Sequence, residues 1–396
     1  MTHLVIIALC IIILLSYLFD ISSKYTKIPG VLLLILLGLA LQLLATNTGM
    51  KIPNLQPILP LLGTVGLILI VMEASLDLKL NKSKKKIINQ AASSAIVLLV
   101  LFTGVLAYLL RQFIQISWQT ALLNAIPLAI ISSAVAIPAA ANLKNDDKEF
   151  VVYESSLSDI LGILIFDFIL IDHASISTGL LNLAFDGLIT FLISVVTTIA
   201  LAILLHKTAH HVNYVIIMTF IILIYTLAKM AHLPALLLIL IFGMVLSNHQ
   251  FFNLPFTIKF INFEKFEKDI ASFKHIAGEL TFLVRSFFFI MFGFYTKIDE
   301  LLNLNNFIIS VAIVLFILFI RWLFFKQVLR KEISPLLFFA PRGLITILLF
   351  LSIPEIHKIG LINEGLITQV IFISILLLTP GNWFKKKIDA NVTGTV

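Results

Sequence analysis

The stretch Glu154-Ser155-Ser156-Leu157-Ser158-Asp159 sets two carboxylates and three hydroxyls inside a segment whose continuation is almost wholly apolar. Ionisable groups in such a setting are costly and are usually kept for a task, such as holding an ion or relaying a proton. On a helix rising about 1.5 Å per residue, Asp159 lies roughly 7 to 8 Å beyond Glu154 and about 140° further round. The two acids therefore face different neighbours. Ser155 shares the Asp159 face and Ser158 the Glu154 face, each at the i, i+4 spacing, which gives each acid a nearby hydroxyl.

The elements that must position these acids are membrane helices. With 60% hydrophobic and 12% charged residues and a mean hydropathy of +1.08, the chain has too little polar surface to cover a soluble body of its length. Apolar runs of about 17 to 25 residues, enough to cross a hydrocarbon core of roughly 30 Å, recur from end to end and leave no room for a soluble domain. The spacing predicts an all-α polytopic protein of about thirteen spans, near 3–19, 28–46, 57–75, 88–110, 119–142, 150–171, 177–205, 213–230, 233–249, 276–296, 306–325, 333–353 and 361–381. The connection 250–275 carries Phe, Lys and Glu at near-helical spacing. It reads equally as an amphipathic surface helix or as an ordinary loop.

Positive charge is retained on the cytoplasmic side of a membrane, and placing the N-terminus outside puts about 20 basic residues inside against about five outside. The expected topology is N-terminus out and C-terminus in. The net charge of +7 then faces anionic lipid headgroups and calls for no nucleic acid. Cys10, the single cysteine, excludes a disulfide framework and a thiol metal site. The first span lacks a basic leader and a small-residue cleavage site, so it reads as a retained helix.

In this topology Asp159 falls near mid-bilayer, with Glu154 on the cytoplasmic side of centre. Three arginines, Arg285, Arg321 and Arg342, also lie inside spans. Arg321 sits at a depth like that of Glu154, so the two are possible ion-pair partners; snorkelling of Arg321 to the interface is the alternative. Arg285 has Glu279 or Asp167 as candidate partners. Glu73 and Asp77 read as a cap or surface charges at a span end.

The fifth span has Pro127 and Pro138 bracketing Ser132-Ser133, and the twelfth has Pro341-Arg342-Gly343. Each proline removes a backbone hydrogen bond, so both helices are expected to be interrupted. Paired interruptions in two halves of a chain are a sequence pointer to a transporter's binding site, because freed carbonyls and helix ends can hold ions. Arg342 beside such a break can offset the negative ends of half-helices and repel a cation once the acid is protonated. Asp146-Asp147 lacks the repeated acidic spacing of a diphosphate enzyme, and His206, His210 and His211 read as solvated residues at a helix end. No phosphate-binding glycine loop, nucleophile elbow or zincin pattern is present, so neither an enzyme nor a cofactor is expected.

At these residues the chain resembles the monovalent cation/proton antiporter superfamily, in the branch of sodium/proton exchangers whose sixth helix carries Glu-Ser-x-x-Asn-Asp. Here Ser158 takes the Asn position. Ile28-Pro29-Gly30 with Leu37-Gly38 resembles the family's second helix, and Gly66-Leu67-Ile68-Leu69 through Glu73-Ala74 the third. Phe287 to Gly293 resembles its aromatic-glycine helix, while Pro341-Arg342-Gly343-Leu344-Ile345 with Leu351-Ser352-Ile353-Pro354 resembles its Leu-Arg-Gly helix. The family's Thr-Asp-Pro in the fifth helix reads Ser132-Ser133-Ala134 here, so one acid is absent.

The resemblance implies an inverted-repeat fold with two interrupted, crossing helices. It implies core helices near 57–171 and 276–381 moving past dimerisation helices near 3–46 and 177–249, in a homodimer. It implies a multi-pass protein of a bacterial inner membrane. Asp159 would bind a cation or a proton by turns, Ser155 and Ser158 would add oxygens, and the break at Ser132 and Ser133 would add carbonyls. Glu154 and Arg321 would be a structural ion pair. The expected reaction is electroneutral exchange of Na+, with Li+ and K+ also suited to hard oxygen ligands, for H+. An organic-anion carrier using Arg285 and Arg342, or a non-transporting sensor on the same scaffold, is the rival reading.

Overall fold

The structure is a computed structural model. It describes residues 2–26, 29–48, 58–77, 84–140, 143–170, 189, 192, 193, 196, 213–231, 233, 235–248, 263–329 and 335–378. The expected span 177–205, nearly all of it, and the histidines 206, 210 and 211 lie outside the described residues, as does 251–262 in the connection after it.

The described chain is helical, and no strand occurs among the described residues. In order it runs α1 (Thr2–Thr26), α2 (Gly30–Thr48), α3 (Leu59–Asp77), α4 (Lys85–Ile114), α5 (Trp118–Ala129), α6 (Ser133–Ala139) and α7 (Asn145–Leu170). There follow α8 (Asn213–Met230), α9 (Ala235–Ser247), α10 (Phe263–Tyr295), α11 (Ile298–Leu301), α12 (Leu304–Phe324), α13 (Leu344–Leu351) and α14 (Glu364–Leu376). A π-helical turn, Phe325–Leu329, extends α12, and a 3-10 turn, Pro335–Phe338, precedes α13. Five stretches, Gly30–Thr48, Lys85–Ile114, Trp118–Ala139, Ile270–Tyr295 and Leu304–Leu329, are long and apolar enough to cross a bilayer. Residues 263–275 are neither a loop nor a separate surface helix: they form the first turns of α10 and run on into its apolar part.

Two compact units divide the chain. The first comprises Met1–Gly63, Ile87–Gly162 and Leu283–Val396. Within it α2 and α10 meet backbone to backbone: a Cβ on Gly38 would collide with the Ile290 carbonyl, and one on Gly293 with the Ile35 carbonyl. Small residues at helix contacts are how membrane helices approach closely where water supplies no driving force. A polar knot ties the ends of α12 and α14. Asn306 Nδ2 donates to Asn363 Oδ1 at 3.1 Å, Ser310 Oγ to Gln369 Oε1 at 3.1 Å, and Gln369 Nε2 to the Leu301 carbonyl at 2.6 Å.

The second unit comprises Thr64–Lys86 and Ile163–Phe282. Gly243 of α9 lies against Ser75 of α3 too closely to admit a side chain, and Ser247 Oγ donates to the Leu76 carbonyl at 2.7 Å.

Candidate functional site

Both expected interruptions are present in the first unit. The α5 helix ends at Ala129, the chain is extended through Ile130 to Ser132, and α6 begins at Ser133. In the second interruption, Phe339–Gly343 is non-helical between the 3-10 turn and α13. Buried backbone groups must find partners, and more so where no water reaches. At the first break, three consecutive amides do so outside their own helix. Ile131 N–H donates to Ser158 Oγ at 3.0 Å, Ser132 N–H to the Pro341 carbonyl at 2.9 Å, and Ser133 N–H to Asp159 Oδ2 at 3.0 Å.

The carbonyls that end α5 are taken by Arg342, which is buried. Its Nε donates to Leu128 O at 2.7 Å, Nη2 to Ala129 O at 3.1 Å, and Nη1 to Ala340 O, in its own break, at 2.8 Å. A cation is thereby fixed on the partial negative end of a half-helix. The Arg342 backbone N–H is held by Ser374 Oγ of α14 at 2.9 Å. Gly343 passes so close to Ser132 that a Cβ there would stand 2.6 Å from Ser132 Oγ.

Asp159 is 3% exposed. One of its oxygens, Oδ2, accepts the Ser133 amide, and the Ser133 hydroxyl also bonds the carboxylate. The other oxygen, Oδ1, is buried with no partner, as are the hydroxyls of Ser132, Ser156 and Thr346. Buried oxygens without a protein partner call for an ion, a water or another donor, and Gln42, Thr103, Asn124 and Ser286 carry such atoms in α2, α4, α5 and α10 as well. Ser155 sits on the Asp159 face but donates its proton back to Val151 O at 2.7 Å.

The other acid has a different setting. Glu154 is fully buried and pairs bidentately with Arg321: Nη1 to Oε1 at 2.7 Å and Nη2 to Oε2 at 2.6 Å. Arg321 also donates from Nε to Leu336 O at 3.0 Å and lies over the Phe325 ring at 4.7 Å. So Arg321 does not snorkel. The hydroxyl beside Glu154 is that of Ser94, from α4. The helical spacing assigned that place to Ser158, which instead serves the break at Ile131. Nothing in the neighbourhood of Ser94 along the chain marks it; only the fold brings it across.

Arg285 is half-buried and makes no ion pair among the described residues. Glu279 is exposed. In the second unit Asp167 lies within electrostatic reach of Lys229 and Tyr225.

Comparison with known proteins places this arrangement. The family model described as sodium/hydrogen exchanger, transmembrane, matches residues 9–385. No curated protein sequence matches the chain. The structure of the sodium proton antiporter MjNhaP1 from Methanocaldococcus jannaschii at pH 8 is similar at a TM-score of 0.70 and 19% identity, covering 96% of this chain and 97% of the other. An electron-microscopy structure of the same antiporter is similar at a TM-score of 0.70 and 18% identity, covering 97% of each chain. At that identity the likeness establishes the fold.

Proposed function

Since the chain belongs to the sodium/hydrogen exchanger family, a family of transporters and not of enzymes, we propose that it exchanges a monovalent cation for protons with Asp159 as the shared site. The observation that carries this reading is the Asp159 carboxylate, buried, with Oδ2 fixed by the Ser133 amide and Oδ1 without a partner. A cation needs the ionised carboxylate, and a proton neutralises it, so each displaces the other. Na+ is the foremost cargo, and Li+ and K+ suit the same hard oxygens. Ser132, whose hydroxyl is also unpartnered, supplies a second oxygen, and Ser133, Ser155 and Ser158 line the same junction.

Around this site, Glu154 and Arg321 serve as a rigid ion pair, and Arg342 holds the half-helix end while repelling a cation once Asp159 is protonated. Core helices near 57–171 and 276–381 carry the site past a dimerisation scaffold near 3–46 and 177–249, in a homodimer of a bacterial inner membrane with its N-terminus outside and its C-terminus in the cytoplasm. The rival anion carrier needs free guanidinium groups. Of the two arginines it would use, Arg285 and Arg342, the second is committed to the carbonyls of Leu128, Ala129 and Ala340, which favours the cation.

The test is dequenching of a pH dye in inside-out vesicles, titrated with sodium, lithium and potassium for wild type and Asp159→Asn. Cation-dependent dequenching that the substitution abolishes is expected. An unimpaired variant removes Asp159 from the mechanism, and a response to organic anions in place of cations overturns the exchange.

A further inference from the structure

The end of α4 and the start of α5 border an open surface pocket of about 560 Å3 lined by Tyr108, Arg111, Gln112, Gln115, Ile116 and Trp118. It lies at the opposite end of α4 from Lys85 and Lys86. The pocket is built, in that its charged wall is held in place. The Arg111 guanidinium carbon sits 4.6 Å above the Trp118 ring, a cation–π contact that fixes the fork while leaving its N–H edges available. Gln115 takes φ 58°, the one positive φ at a non-glycine among the described residues, and its amide bonds back to the Arg111 carbonyl at 2.9 Å. This is the left-handed cap that ends α4, and it turns the chain toward α5 at the foot of the pocket.

No Asp or Glu occurs between Lys86 and Asp146, and Arg111 forms no ion pair among the described residues. Arg111 presents the geometry that binds phosphate oxygens pairwise, with the Gln112 and Gln115 amides as further donors. Leading to it along α4 is an exposed stripe, Leu101, Gly104, Val105 and Tyr108, with open space at Gly104, where a Cβ would meet nothing within 4 Å. From Leu101 to Arg111 is about 15 Å on a helix, the depth of one leaflet of a roughly 30 Å hydrocarbon core.

We propose that this pocket binds an anionic phospholipid, its phosphate on Arg111 between the two amides and one acyl chain along the Leu101–Tyr108 stripe, in the notch at Gly104. Among the described residues no acid lines the pocket, which selects against headgroups that carry an ammonium. The continuity of charge, aromatic ring and apolar stripe selects a lipid over a free anion.

The experiment is native mass spectrometry of the purified full-length protein, titrated with phosphatidylglycerol and with phosphatidylcholine. Wild type is expected to retain phosphatidylglycerol in preference to phosphatidylcholine, and Arg111→Gln to weaken that retention about tenfold, the loss of a charge-assisted contact. Gly104→Leu, which fills the notch, should weaken retention of both lipids, while Lys326→Gln, far along the chain on an exposed side chain, should not change it. Equal retention by wild type and Arg111→Gln overturns the site. Equal retention of the two lipids overturns the anionic headgroup. Displacement of phosphatidylglycerol by millimolar inorganic phosphate makes it a free-anion site and overturns the lipid.

Discussion

The amide of Ser132 donates to the carbonyl of Pro341 at 2.9 Å, so the two interrupted helices are bonded to each other at their breaks. Neither break is an isolated loop. Each supplies what the other lacks: the first has amides without helical acceptors, and the second has carbonyls that no helix uses. Arg342 adds the reciprocal link by returning donors to the carbonyls of Leu128 and Ala129. The two ties join the breaks into one bonded junction.

This close approach predicts the effect of Gly343→Ala. The φ of Gly343 is −172°, extended backbone that any residue adopts, so the glycine is there for space alone. A Cβ would stand 2.6 Å from Ser132 Oγ and 3.0 Å from both Ser132 Cβ and Val135 Cγ2. The hydroxyl can rotate away, but the carbons cannot without moving the break, at a cost of about 1–3 kcal/mol. Exchange by Gly343→Ala should fall several-fold with expression maintained. The variant's melting temperature should fall too, unrescued by Ser132→Ala, where the Cβ contact remains, and partly restored by Ser132→Gly, a readout independent of the oxygen that Ser132 offers the cation. Gly360→Ala, in open space, is the matched control and should transport like wild type.

Glu154 and Arg321 predict a strongly non-additive pair. Removing one member of a buried ion pair leaves an uncompensated charge and costs about 3–5 kcal/mol, while removing both is often close to neutral. Glu154→Gln and Arg321→Gln should each lower the melting temperature in detergent by many degrees. The double variant should recover most of the loss. Additive losses would mean that the charges act separately. The Ser94 donor gives a milder version: Ser94→Ala should cost about 1.5–3 kcal/mol, as the loss of one hydrogen bond to a charged group.

Arg342 separates charge from hydrogen bonding. Arg342→Ala strips donors from the carbonyls of Leu128, Ala129 and Ala340, and each orphaned buried acceptor costs about 1–3 kcal/mol. Loss of both stability and exchange is expected. Arg342→Lys keeps the charge but not the planar fork, so it should retain part of each. Arg342→Gln keeps two donors without charge. If vesicle exchange by Arg342→Gln equals wild type, the positive charge has no part in the cycle.

These contacts also show what was readable along the chain. Pro341 lies in the second break, while Pro127 and Pro138 sit inside α5 and α6 and only bracket the first, whose freed amides and carbonyls belong to other residues. That Glu154 and Arg321 could pair followed from the like depth that span boundaries and charge bias assign them. The partners of the breaks did not, since an amide's acceptor 26 or 27 residues away leaves no periodic trace. Ser155 was placed on the right face of α7 by helical spacing, yet its hydroxyl turns back to Val151 O, as serines within helices commonly do. Ser158 shows the converse: the broken helix lies across α7, so a residue assigned to the Glu154 face meets the same break as Asp159. The connection 250–275 was ambiguous because amphipathic spacing does not say whether a helix continues into the next span. Residues 263–275 do continue.

The last prediction concerns charge movement. Asp159 is the one acid bonded to the first break among the described residues, Glu154 is held bidentately by Arg321, and Ser133 occupies a position where a second carboxylate would stand beside the ion. A single titrating site exchanges one cation for one proton and moves no net charge. In proteoliposomes, wild-type exchange should therefore be indifferent to an imposed membrane potential. One net charge per cycle would instead respond to 100 mV with about 2.3 kcal/mol, shifting the final cation distribution about fiftyfold. Ser133→Asp adds the second carboxylate and is expected to make transport potential-dependent, provided that the introduced carboxyl group ionises in one half of the cycle and is neutral in the other. A wild-type protein whose cation gradient follows the imposed potential would overturn the one-site scheme and bring Glu154 into the titration as the second member of a coupled pair.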